Sequence, residues 1–144
     1  PEYAYERNGI PYVQVYRTPS IVPDALLPGD RIEPVEIAGE LQFLSYSLDT
    51  LAGDAPYLRL YWRALTDLKE DYQVRIAVTD KAGNVTATMG GLLYAEGLPT
   101  SKWTLQRVVQ TPFELSADEA AEMEAGERTF QINVSPGGHS IVLN

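Results

Sequence analysis

Arg59, Tyr61 and Arg63 stand two residues apart in a run whose other members, Leu58, Leu60, Trp62 and Ala64, are apolar. On an extended strand, that spacing projects both guanidinium groups and the phenol from one face. Arg75 joins them if the following strand pairs antiparallel beside the first. Arginines next to a tyrosine can hold a phosphate or a sugar acid through bidentate bonds and stacking. The bland alternative is a solvated sheet face, or one paired with Asp67 and Asp71.

Aromatic residues offer a second chemistry. Tyr94 and Trp103 fall in a Gly/Pro-rich stretch, where accessible rings can stack on sugar faces. Trp62 shares the apolar register of its strand and reads as core, and Trp103 also reads as a loop anchor. Carboxylates offer a third. Asp49, Asp54 and Asp80 lie in turns, but calcium wants six or more oxygens and no DxDxD-like spacing is present. Asp118, Glu119, Glu122 and Glu124 would need to converge across a cleft to hydrolyse anything. On one short helix they read as a solvated face. Ser101 and His139 lack a nucleophile-elbow context.

Charge and composition exclude several classes. The 144 residues carry 20 acids against 11 bases, a net charge of -9. Nucleic acid needs a basic footprint, so none is expected as a partner. Adhesion to anionic lipid by net charge is excluded on the same ground. With no cysteine and one histidine, thiolate and multi-histidine metal sites are ruled out, and no cofactor is called for. No apolar run approaches the ~20 residues of a membrane helix. The chain starts at Pro1 and enters a patterned segment at once, which reads as a piece excised from a longer protein.

The elements that must position these residues follow from alternation and turn chemistry. Tyr57–Leu65, Tyr72–Thr79 and a strand starting at Val85 form a central block, with Asp80-Lys-Ala-Gly-Asn84 as a turn. Upstream, Asn8-Gly9 between two β-rich runs predicts a hairpin over 2–17. Residues 18–30, with three prolines, form a connector. Arg31–Ile37, interrupted by Pro34, reads as an edge strand. Leu41–Leu48 is a strand with apolar residues on both faces. Downstream, 94–102 reads as a long loop and Arg107–Leu115 as a strand. Ser116 with Glu119 gives a capping box for a helix over 118–124. Arg128–Val134 and His139–Leu143 pair around Pro136-Gly137-Gly138. Eight or nine strands and at most one short helix, near 117–124, make an all-β, antiparallel β-sandwich of immunoglobulin-like or jelly-roll type. The hairpin and connector, 1–30, are expected to pack on a sandwich spanning 31–144.

From about Leu41 to Leu115 the chain resembles the soluble extracytoplasmic domain of large bacterial membrane proteins of the dolichyl-phosphate-mannose mannosyltransferase type. Leu60-Tyr61-Trp62-Arg63-Ala64, Asp71-Tyr72-Gln73-Val74, Asp80-Lys-Ala-Gly-Asn84, Leu98-Pro99-Thr100-Ser101 ending at Trp103, and Val108-Val109 before Phe113-Glu-Leu115 carry the likeness. Asn8-Gly9-Ile10-Pro11-Tyr12-Val13 through Tyr16-Arg17 is similar to the segment between membrane part and sandwich. Two features depart from it: the acidic Ser116–Glu127 stretch, and Thr104-Leu105-Gln106 where a Pro-Gly turn usually follows the tryptophan. Ala77–Val85 also resembles bacterial immunoglobulin-like repeats. In a bacterial chain the sequons at Asn84-Val-Thr86 and Asn133-Val-Ser135 carry no message.

The resemblance implies a sandwich without an active site. It implies a non-catalytic extracytoplasmic accessory domain of a membrane-anchored glycosyltransferase-like parent, holding a glycan, an acceptor protein or a neighbouring subunit. An autonomous carbohydrate-binding module using Trp103 and Tyr94 is the alternative, and a carboxylate-dependent hydrolase ranks third. The candidate ligand-binding residues are therefore Arg59, Tyr61, Arg63, Arg75, Tyr94 and Trp103.

Overall fold

The computed structural model describes residues 3–7, 10–15, 27, 29–49, 56–95 and 97–143, the first two stretches and Asp49 through their backbone alone. Strands β1 (Tyr3–Arg7) and β2 (Ile10–Val15) pair antiparallel, as the intervening Asn-Gly predicts. Asn8, Gly9, most of the proline-containing connector, and the 50–55 loop with Asp54 lie outside the described residues.

Eight further strands build two sheets. In chain order they begin with β3 (Asp30–Ile37), β4 (Leu41–Asp49), β5 (Tyr57–Ala64), β6 (Gln73–Asp80) and β7 (Val85–Leu92). After the two-residue strands β8 (Tyr94–Ala95) and β9 (Leu98–Pro99) come β10 (Val108–Glu114), helix α1 (Ala117–Glu124), β11 (Arg128–Ser135) and β12 (His139–Leu143). One sheet runs β10-β5-β4-β3 and the other β12-β11-β6-β7, with antiparallel pairing throughout. The stretch expected to be a plain loop over 94–102 thus contains the small β8–β9 pair. The proline-interrupted β3 is an edge strand, as expected from its missing donor.

Connectivity decides between the two sandwich types. The chain crosses from β5 to β6, returns to place β10 beside β5, then crosses again to place β11 beside β6. With β5, β6, β10 and β11 as strands B, C, E and F, strand E lies beside B and F beside C, the Greek-key relation of the immunoglobulin-like sandwich.

The core is the sum of the inward registers. Ile37, Leu41, Phe43, Leu58, Leu60, Trp62 and Ala64 of one sheet meet Val74, Ile76, Val78, Phe130, Ile132, Val134, Ile141 and Leu143 of the other. Trp62 is fully buried, with its ring centroid 4.9 Å from that of Phe43 at 59°. Its indole N–H donates to Thr111 Oγ1 at 2.9 Å. An aromatic ring of this size removes roughly 200 Å² from water, a stabilisation on the order of 5 kcal/mol.

The mixed apolar pattern of β4 is explained by a bulge. The register slips between Phe43 and Ser45, so Phe43 faces Trp62 while Ser45 faces Tyr61 and Tyr46 faces Leu60. Odd-numbered residues point inward before the slip and even-numbered ones after it. Leu44, at the slip, joins the opposite face. At one end of the sandwich the β3–β4 turn has Ala38 at φ 54 and Gly39 at φ 68, and Glu40 N–H donates to Ile37 O at 3.1 Å. Gly137 of the β11–β12 turn packs so tightly there that a Cβ would come within 3.0 Å of Ile37 Cγ2.

Candidate functional site

Tyr61, Arg59 and Arg63 do share the outward face of β5, but that face is covered. Tyr61 is only 6% exposed and packs with Leu27, Leu44 and Val108 in a second, smaller apolar cluster. Its hydroxyl lies 3.1 Å from Ser47 Oγ, and Ser45 beside it is fully buried. Gly29 explains how the connector comes so close. At φ 79, a Cβ there would lie 2.2 Å from Tyr46 O, so only glycine fits. The Arg59 guanidinium stacks over the Tyr57 ring at 5.4 Å. Arg59 and Arg63 are both half-buried, and neither is free of interactions. Asp71 accepts Ser101 N–H at 3.2 Å, a bond that ties a loop rather than an arginine.

Arg75 does not join this group. β6 pairs with β7 and β11, not with β5, so Arg75 stands on the outward face of the other sheet. The connection from β5 to β6 spans 65–72, too long for a hairpin, and it buries Leu68 and Tyr72 on its way between sheets. That length was the signal in the sequence that the two strands part. Across the ladder Arg75 faces Asn133 on one side and Gly90 on the other.

The third surface is the corner from 92 to 105. Leu92, Tyr94, Leu98 and Leu105 are exposed by 37–47%. Trp103 is half-buried, packs against the main core, and donates its indole N–H to Leu98 O at 3.0 Å. It is an anchor, and its polar edge is occupied. Thr100 holds the base of this corner. Its fully buried hydroxyl accepts Tyr72 N–H at 2.8 Å and donates to Glu70 O at 2.9 Å. The residue pattern assigned Leu98 and Thr100 no structural role beyond their part in the resemblance, and the Leu27–Tyr61 cluster was not visible, because each depends on which strands become neighbours.

Three of the candidate carboxylates, Glu119, Glu122 and Asp80, are occupied structurally. Glu119 Oε2 accepts Ser116 N–H at 2.9 Å while Ser116 Oγ accepts Glu119 N–H at 3.1 Å, completing the expected capping box. Glu122 binds Arg128 Nε, while Arg128 Nη1 approaches Asp80 Oδ2 at 4.0 Å. Asp80 accepts Ala82 N–H and Asn84 N–H, each at 2.9 Å, closing its own turn. The Asn84 backbone and amide donors, followed by Ala82 N–H and the Arg128 charge, hold this carboxyl below the usual range. Among the described residues, no three His, Cys, Asp or Glu side chains converge as a metal site. No helix among them is long and apolar enough to cross a membrane.

No family model, curated protein or solved structure matches this chain.

Proposed function

We propose that this chain is a non-catalytic binding and positioning domain, carried on the extracytoplasmic side by a larger membrane-anchored, glycosyltransferase-like protein. The sequence resemblance over 41–115 suggests the setting. The observation that carries the binding role is the 92–105 corner. It displays four large apolar side chains in solvent on a base fixed by Thr100 and Trp103. Exposed apolar groups on a rigid support mark a contact surface, and a neighbouring subunit or acceptor protein is the partner it suits.

Sequencing the gene on both sides of this segment tests the setting. A run of hydrophobic spans in the same reading frame is the expected result, and an open reading frame without any sinks it. A second reading, the autonomous carbohydrate-binding module, is favoured by the 46% exposure of Tyr94. It requires neutral oligosaccharides to perturb Trp103 fluorescence and the Tyr94→Ala variant to lose that response with its fold intact.

A further inference from the structure

The outward face of the β12-β11-β6-β7 sheet is polar and centred on one arginine. Register places Ser140, Asn133, Arg75 and Gly90 in one row across the four strands. The next row holds Val142, Gln131, Ala77 and Thr88, and Ser135, Gln73 and Leu92 lie on the other side. None of these residues is an acid, on a chain of net charge -9. Arg75 is exposed and, among the described residues, its guanidinium has no hydrogen-bond or ion-pair partner. Gly90 offers no side chain beside it, and could not, because a Cβ there would lie 2.1 Å from Val74 O. Two concavities of about 390 Å³ flank Arg75, one lined by Asn133, Ser135 and Gly138, the other by Thr88, Gly90 and Gly91.

We propose that this face binds an otherwise neutral oligosaccharide carrying one acidic sugar, with Arg75 taking the sugar carboxylate bidentately. A planar five-donor guanidinium fork matches a carboxylate in geometry and charge. The surrounding amides and hydroxyls of Gln73, Asn133, Ser135 and Thr88 both donate and accept, as the hydroxyls of a sugar ring require. Protein interfaces centre on aromatic and apolar anchors, and the centre of this face has none. One isolated acid, rather than a polyanion, fits the charge. The net negative protein repels a distant string of charges, whereas a single carboxylate at Arg75 meets no acid on this face. The site centres on Arg75, shares only Leu92 with the 92–105 corner, and needs no membrane setting.

The test is a titration of the ¹⁵N-labelled chain with a xylo-oligosaccharide bearing one glucuronic acid substituent, and with the same oligosaccharide unsubstituted. The acidic form is expected to shift amides over 73–77, 88–91 and 131–135 and to bind at least tenfold tighter than the neutral one. R75Q should erase that preference without moving Tm, R75K should restore only part of it, and N133A should weaken both ligands alike. Equal affinity for the two oligosaccharides, an undiminished preference in R75Q, or no shifts at tens of millimolar ligand would overturn the proposal. So would shifts confined to 92–105, or free glucuronate or inorganic phosphate binding as tightly as the acidic oligosaccharide.

Discussion

On the β10-β5-β4-β3 sheet, the outward Tyr61 is 6% exposed beneath Leu27, and the arginines on either side of it are half-buried and engaged. On the β12-β11-β6-β7 sheet, the outward Arg75 stands in solvent between small and polar neighbours. Both faces come from strands with the same alternation of apolar and polar residues. The difference, among the described residues, lies in what lies over them: Leu27, two residues ahead of Gly29, packs onto one face, while Arg75 on the other stays exposed. An arginine on a strand is therefore a structural group or a potential ligand contact according to a segment distant in sequence.

The contrast has a scale against which it can be broken. Trp62→Ala, which empties the shared core and strips the hydrogen bond from Thr111, should cost about 4 kcal/mol in urea unfolding. Tyr61→Ala comes next, at roughly 2–3 kcal/mol, if the small outer cluster is true packing. A cost under about 0.5 kcal/mol there would place Tyr61 on a solvated face and abolish the distinction.

Tyr72 sharpens the comparison at the crossing between the sheets. Its hydroxyl donates to Glu40 Oε2 at 3.0 Å, and burial together with that carboxylate pushes its pKa up to about 12. The folded state thus holds this proton more tightly than the unfolded chain, whose tyrosine titrates near 10. The resulting stability is complete below pH 10 and is lost as pH rises from 10 to about 12. Tyr72→Phe should cost about 1 kcal/mol at neutral pH, and the margin of the parent chain over it should narrow across that window in denaturant titrations. A constant margin would show that the proton is not held. Arg75→Ala should be the smallest effect, within about 0.5 kcal/mol. A larger loss in calorimetry would mean that this arginine, too, is a structural group.

Much of this architecture was legible in the residues. Alternation located β5 and β6, Asn-Gly gave the first hairpin, the Ser116–Glu119 spacing gave the capping box, and Pro34 marked an edge. The odd-to-even shift of apolar residues in β4 was visible as ambiguity, and the bulge is its physical content. The grouping of Arg59, Tyr61, Arg63 and Arg75 was not recoverable from alternation, because period two fixes a face within a strand but not its neighbour. The cover over Tyr61 was equally hidden, since it rests on Leu27, which local patterning left in a proline-rich connector.

Thr100 bears on how this domain can be altered. One hydroxyl satisfies two backbone groups of the 70–72 segment, so serine is the natural replacement and valine, equal in shape, would strand both. The turn at Gly97 lies beyond these ties, which the Trp103 indole and the Asp71–Ser101 bond reinforce. Foreign peptides spliced at Gly97 should therefore be displayed without disturbing the sandwich, making this corner a grafting site for protein engineers.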